Sequence, residues 1–185
     1  MNYLLASLLW VSSASEPRYL SGLFFDLEFS SSVLVNESYI KYNVYREQNY
    51  SKKKFTREQI DFAAKKSYLI SEKILRGMGR KPSDCRSYMN LHIYEITRSS
   101  LNRNDIAYWK EEIGVGGKEI FGLYDPTIWV KGDSCLLVGD NAPIPMGTLI
   151  HEFSHYWYDR WCLLGNVSMD TESFAYKAEY IYVNE

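Results

Sequence analysis

The sequence holds only three histidines, three cysteines and five prolines, and its 21 basic residues almost balance 23 acidic ones. Each shortage excludes something. A helix that crosses a bilayer needs about 20 apolar residues in a row. The one candidate stretch, Tyr3 to Val11, is too short, and no later segment qualifies, so stable membrane insertion is not expected. A formal net charge of −2 gives no electrostatic case for nucleic acid. The basic run Lys52-Lys53-Lys54 is short and reads as a solvated approach to a helix. Cys85, Cys135 and Cys162 show no CxxC pairing, which argues against a cysteine zinc site. In an exported chain Cys85 and Cys135 could pair and leave Cys162 over, but sequence does not decide which two join. There is no internal repeat, low-complexity tract or long linker.

What remains is a chain with the balance of one globular domain: 185 residues, 46% hydrophobic and 24% charged. Sixteen tyrosines and five tryptophans are available for core packing and for the walls of a cleft. The opening MNYLLASLLWVSSASEP has the shape of a secretory signal over residues 1–14, with small residues before a cleavage point near Ala14 but no basic n-region. That leaves 15–185 as a single domain, secreted or periplasmic if the signal is real and cytoplasmic otherwise. The stretches 22–29, 39–47 and 91–97 read as strands by alternation and β-branched content. Residues 52–79 read as a helix, with a Thr56/Gln59 capping box and an apolar face of Ile60, Ala63, Ala64, Ile70 and Ile74. A helix over 104–113, short strands at 120–124 and 127–131, and a further strand at 135–138 follow. Two last helices cover Met146 to about Cys162 and Asp170 almost to the end. The order predicts an α+β fold, a small mixed sheet with helices packed on it.

Two of the three histidines fall in HEFSHYW, at 151 and 155. Residues i and i+4 on a helix point the same way, one turn apart. His151 and His155 can therefore reach one zinc ion through their imidazoles. Glu152, about 100° round the helix, cannot readily join them but can face a water on the ion. Chance placement of HExxH in a chain this long is on the order of one in a few hundred. The bland alternative is two histidines on an amphipathic helix.

A catalytic zinc needs a third protein ligand and one open position. Tyr156 to Trp161 supply no glycine or histidine that would continue the motif as HExxHxxGxxH. His92 lies on a predicted strand, where packing or a substrate-side role is favoured over ligation. Asp159 continues the histidine face, but ligands at i, i+4 and i+8 spread over about 12 Å of helix, too far for one ion. Asp170 reads as a helix N-cap. The last helix, DTESFAYKAEYIYVNE, offers better: Glu172, Tyr176 and Glu179 share one stripe that would face His151 and His155 in a helical hairpin.

HEFSHYW followed by ESFAYKAE resembles the gluzincin metallopeptidases, the thermolysin and zinc-aminopeptidase type, over roughly 120–185. Glu172, Phe174, Ala175 and Glu179 match the E-x-F-A-x-x-x-E stretch of those aminopeptidases position for position. The resemblance implies that Glu172 is the third ligand to a single zinc ion and that Glu179 orients a histidine. It also implies that IFGLYD is an edge strand whose Phe121, Gly122, Leu123 and Tyr124 pair with an extended peptide substrate, as in compact minigluzincins. The separation of His155 from Glu172 is shorter than is usual in the family. No GxMEN-like motif is present, which argues against aminopeptidase activity. The oxyanion-stabilising residue is open among Tyr176, Tyr124 and Tyr180, with Tyr176 the catalytic candidate. The expectation is a zinc endopeptidase acting on peptide or protein through a zinc-bound water, with Glu152 as general base. Two other readings stand beside it: a non-catalytic zinc-containing binding or structural module, and a metal-free secreted α+β protein. Three N-x-S sequons, at Asn36, Asn49 and Asn166, carry no assigned role.

Overall fold

The computed structural model describes residues 20–86, 90–103, 120–126 and 133–185. The expected signal (1–14), helix (104–113) and strand (127–131) lie outside the described residues. Among the described residues the fold is α+β, with five strands in one mixed sheet and four helices.

Strand β1 (Phe25–Val35) turns at Asn36 and Glu37 into β2 (Ser38–Glu47). Both turn residues have positive φ, 42° and 70°, the twist that suits a two-residue hairpin. β1 therefore runs past the expected boundary at 29, because the hairpin carries the pairing on to Val35↔Ser38. Helix α1 (Arg57–Gly77) follows, and β3 (Asn90–Ile96) returns parallel to β2. The capping box is present: Thr56 Oγ1 accepts from Gln59 N, and Gln59 Oε1 accepts from Thr56 N. It starts the helix at Arg57, so the lysine run stays outside. The short α2 (Arg98–Leu101) was not expected from the sequence, and its Thr97 cap is too brief a signal to stand out. β4 (Gly122–Asp125) pairs antiparallel with β5 (Asp133–Gly139), and β5 pairs parallel with β3. Helices α3 (Pro145–Arg160) and α4 (Thr171–Asn184) complete the chain. The sheet order is β1-β2-β3-β5-β4, so β4 is an edge among the described residues.

Helices α1, α3 and α4 cover one face of the sheet. Ile40, Tyr42, Val44, Leu91, Ile93, Leu136 and Val138 meet Ile60, Ala64, Leu149, Phe153, Trp157 and Phe174 there. Alternation sends the other set, Tyr94, Ile96, Leu123, Cys135 and Leu137, to the opposite face. α3 is the central helix of its layer, in contact with α1, α4, β4 and β5. That explains why its residues are buried nearly all round, histidines included.

The disulfide joins Cys85 to Cys162, not Cys85 to Cys135. Cys135 is buried on the sheet face away from α3, so the sheet itself separates it from Cys85. Cys85 instead lies beside the end of α3, its N–H donating to Arg160 O at 3.0 Å. Cys162 has just left the helix at φ 49° and turns towards it. Disulfides persist in oxidising compartments. No described helix is long and apolar enough to cross a membrane.

Candidate metal centre

The site is assembled from α3, α4 and β4. α3 begins at Pro145, which needs no amide partner at the first helical position. Ten residues after His155 a turn at Gly165, φ 73°, reverses the chain. Asp170 then caps α4 by accepting from Ser173 N at 2.9 Å, as expected. The hairpin sets Glu172 against both histidines. His155 Nε2 lies 3.3 Å from Glu172 Oε1, and His151 Nε2 lies 3.6 Å from Glu172 Oε2. The two Nε2 atoms are 3.1 Å apart. One donor atom from each of His151, His155 and Glu172 thus falls within 4.8 Å of the others, a group that could hold a metal ion.

The remaining ring nitrogens point elsewhere and have partners. His151 Nδ1 meets Glu179 Oε2 at 3.2 Å, and His155 Nδ1 meets Thr171 Oγ1 at 2.7 Å. Each contact fixes its ring with Nε2 turned inwards, the arrangement that prepares imidazoles for a metal. Glu179 was expected from the sequence in this position. Thr171 was missed; its only signal is that it adjoins Glu172. His92 takes no part. It sits on the opposite sheet face, 3.1 Å from Asp133 Oδ2 and stacked on Tyr45.

Charge is strongly coupled here. Burial alone would lower the His151 pKa, but hydrogen bonds to Glu172 and Glu179 outweigh it and raise the value to about 10. Burial keeps His155 below the ordinary histidine value. The two histidines hold Glu172 well below the usual carboxylate range. Glu152 goes the other way. It is buried, and no described group is seen to hydrogen-bond it, so desolvation, aided by Glu172 and Glu179, pushes it up to about 8. Two other buried carboxylates, Glu47 and Glu95, accept from Thr97 N and Phe55 N and tie the sheet together.

β4 passes directly over Glu152. A Cβ built on Gly122 would stand 2.9 Å from Glu152 Cγ and Cδ and closer still to Oε1. Real side-chain atoms do not approach so closely, so glycine is what lets the strand lie there. Tyr124 stacks its ring parallel to that of His155, 5° apart in plane with centroids 6.4 Å apart. Its hydroxyl donates to Asp159 Oδ2 at 3.1 Å. Leu123 is buried on the far face of the sheet, and Phe121 is partly exposed at the rim. Tyr176 places the edge of its ring on His151, centroids 4.7 Å apart, and remains 60% exposed. Burial and the neighbouring Glu172, Glu179 and Glu152 raise its phenol pKa, which keeps the proton on the oxygen. Tyr180 is 69% exposed on the outer side of α4. Gly122, Tyr124, Glu152 and Tyr176 open, with the three metal-donor residues, onto a cavity of about 450 Å³ lined by β4, α3 and the first turns of α4; Tyr180 does not line it.

Comparison with protein-family models, with curated proteins and with solved structures finds no match. The geometry alone supports a buried His-His-Glu group that could hold a metal ion, in a mixed α+β fold.

Proposed function

We propose that this chain is a zinc-dependent peptidase. The observation that carries the reading is the company the metal group keeps. Beside three convergent donors stand a buried carboxylate, Glu152, and a strand at the edge of the described sheet, β4, both opening onto one cavity. The donor set suits zinc, which takes imidazole nitrogen and carboxylate oxygen in three-ligand catalytic sites. Bound by His151, His155 and Glu172, zinc would supply Lewis acidity and make water a nucleophile near neutral pH.

The chain's own residues then divide the work. Thr171 and Glu179 hold the two rings in place. Glu152, ionised once a dication stands beside it, accepts a proton from the attacking water and returns it to the departing amine nitrogen. Tyr176 keeps its proton and can donate to the carbonyl oxygen as charge builds there. Residues 121–124 receive the peptide: an edge strand turns alternate amide and carbonyl groups outwards, where an extended backbone adds as a further strand.

The test is metal analysis of the purified protein, followed by cleavage of a mixed peptide library with and without chelator. Glu152→Gln is expected to retain one equivalent of zinc and to lose hydrolysis by at least a thousandfold. Undiminished cleavage in that variant would overturn the mechanism. Zinc binding with no cleavage of any peptide by the wild type would favour the non-catalytic zinc module.

A further inference from the structure

One group on the histidine helix is left over by the proposed chemistry. Asp159 lies one turn beyond His155, and the metal does not need it. Its carboxylate is nevertheless engaged on both sides. Oδ2 accepts from the Tyr124 hydroxyl at 3.1 Å, and Oδ1 pairs with Arg86 Nη1 at 3.0 Å. Its side chain is only 19% exposed against 52% for Arg86, so the ion pair is partly open to solvent and the Tyr124 bond is the better shielded contact.

Arg86 is itself anchored. Its backbone N–H and that of Cys85 both donate to Arg160 O, at 3.1 and 3.0 Å. Asp84 receives Arg160 Nη2 at 2.6 Å. The Cys85–Cys162 disulfide closes the same segment onto the end of α3. Residues 84–86 are thus clamped to the last turn of the metal-binding helix by covalent, backbone and ionic links. Among the described residues β4 pairs with β5 on one side only, through four residues. Tyr124 ties it to α3 through the stack on His155 and the bond to Asp159, beside the close approach of Gly122 to Glu152.

We propose that Asp159, braced by Arg86 and the disulfide-clamped segment 84–86, is a positioning residue that holds Tyr124 and so keeps β4 closed against the metal-binding helix. The consequence for substrate rests on the peptidase reading. A loosened β4 presents a poorer template for peptide addition, so binding suffers more than the chemical step. The positioning itself needs neither metal nor substrate.

The experiment is amide hydrogen exchange of the full chain, comparing wild type with Tyr124→Phe, Asp159→Asn, Asp159→Ala and Arg86→Met. Tyr124→Phe deletes one hydroxyl and leaves the ring, so the fold is kept. It is expected to speed exchange over 122–125 by at least tenfold while β2, β3 and α4 stay within twofold. Asp159→Ala should match it, and the double variant should go no further, because both remove the same bond. Asp159→Asn still accepts from Tyr124 and should restore most of the protection; Arg86→Met should fall between. If cleavage is observed in the wild type, Tyr124→Phe should raise KM about tenfold with kcat within threefold and zinc affinity unchanged. Unchanged exchange over 122–125 in Tyr124→Phe, or additive effects in the double variant, would overturn the inference. Absence of cleavage in the wild type would count against the peptidase reading alone, since the exchange result stands without it.

Discussion

Metal binding at this site should release protons, and the number can be worked out from the pocket. In the metal-free protein His151 carries a proton up to about pH 10, because Glu172 and Glu179 both hydrogen-bond it. A metal takes only the neutral ring. Three pH units separate that value from pH 7, so roughly one molecule in a thousand has the ring ready. The apparent affinity is then weaker by about 4 kcal/mol than at high pH. The sign follows: affinity rises about tenfold per pH unit below 10 and levels off above it. Glu152, at about 8 without metal, is also mostly protonated at pH 7 and should ionise when a dication arrives beside it. His155, already lowered by burial, contributes nothing. Zinc titration by calorimetry at pH 7 in buffers of different ionisation enthalpy should therefore show nearly two protons released. In Glu152→Gln the count should fall to about one, and between pH 6 and pH 8 the Kd should drop by at least a hundredfold. Release of less than half a proton at pH 7, or a Kd flat with pH, would refute the reasoning.

Further outcomes follow from the same geometry. Thr171→Val and Glu179→Leu each free one ring to rotate and should weaken zinc binding by about 10–100-fold, read by competition with a chromophoric chelator. Gly122→Ala forces a methyl into the Glu152 carboxylate; zinc should stay bound while kcat/KM falls about a hundredfold, and unaltered activity would show that β4 does not lie where Glu152 is. Replacing Cys85 and Cys162 by serine opens a loop of sequence separation 77. Chain entropy alone puts the loss near 4.5 kcal/mol, which for unfolding of a domain this size lowers Tm by roughly 10 °C in a calorimetric scan. A fall of under 2 °C would mean the disulfide does not stabilise the native fold.

The parts of this protein legible in its sequence are those governed by local periodicity. Ile60, Ala63, Ala64, Ile70 and Ile74 recur at the helical period, and all five are buried on α1. His151 and His155 had to share a helix face because 3.6 residues make a turn. Capping by Thr56 and Asp170 needed only a hydroxyl or carboxylate three residues before an amide. Partners distant in sequence could not be read this way. The pairing of Cys85 with Cys162 stays open in the sequence because nothing local says that the sheet stands between Cys135 and Cys85. The hold of Thr171 on His155 and of Asp159 on Tyr124 depends on how two helices and an edge strand close, across 16 and 35 residues. So does the close fit of Gly122 on Glu152, since a glycine in a sequence gives no sign of what it lies against. Spacing along one helix supplied the two histidines and a carboxylate beside them. Only packing could bring in the third donor, desolvate Glu152 and set a sheet edge beside it, because burial and contact between distant segments are properties of the folded whole.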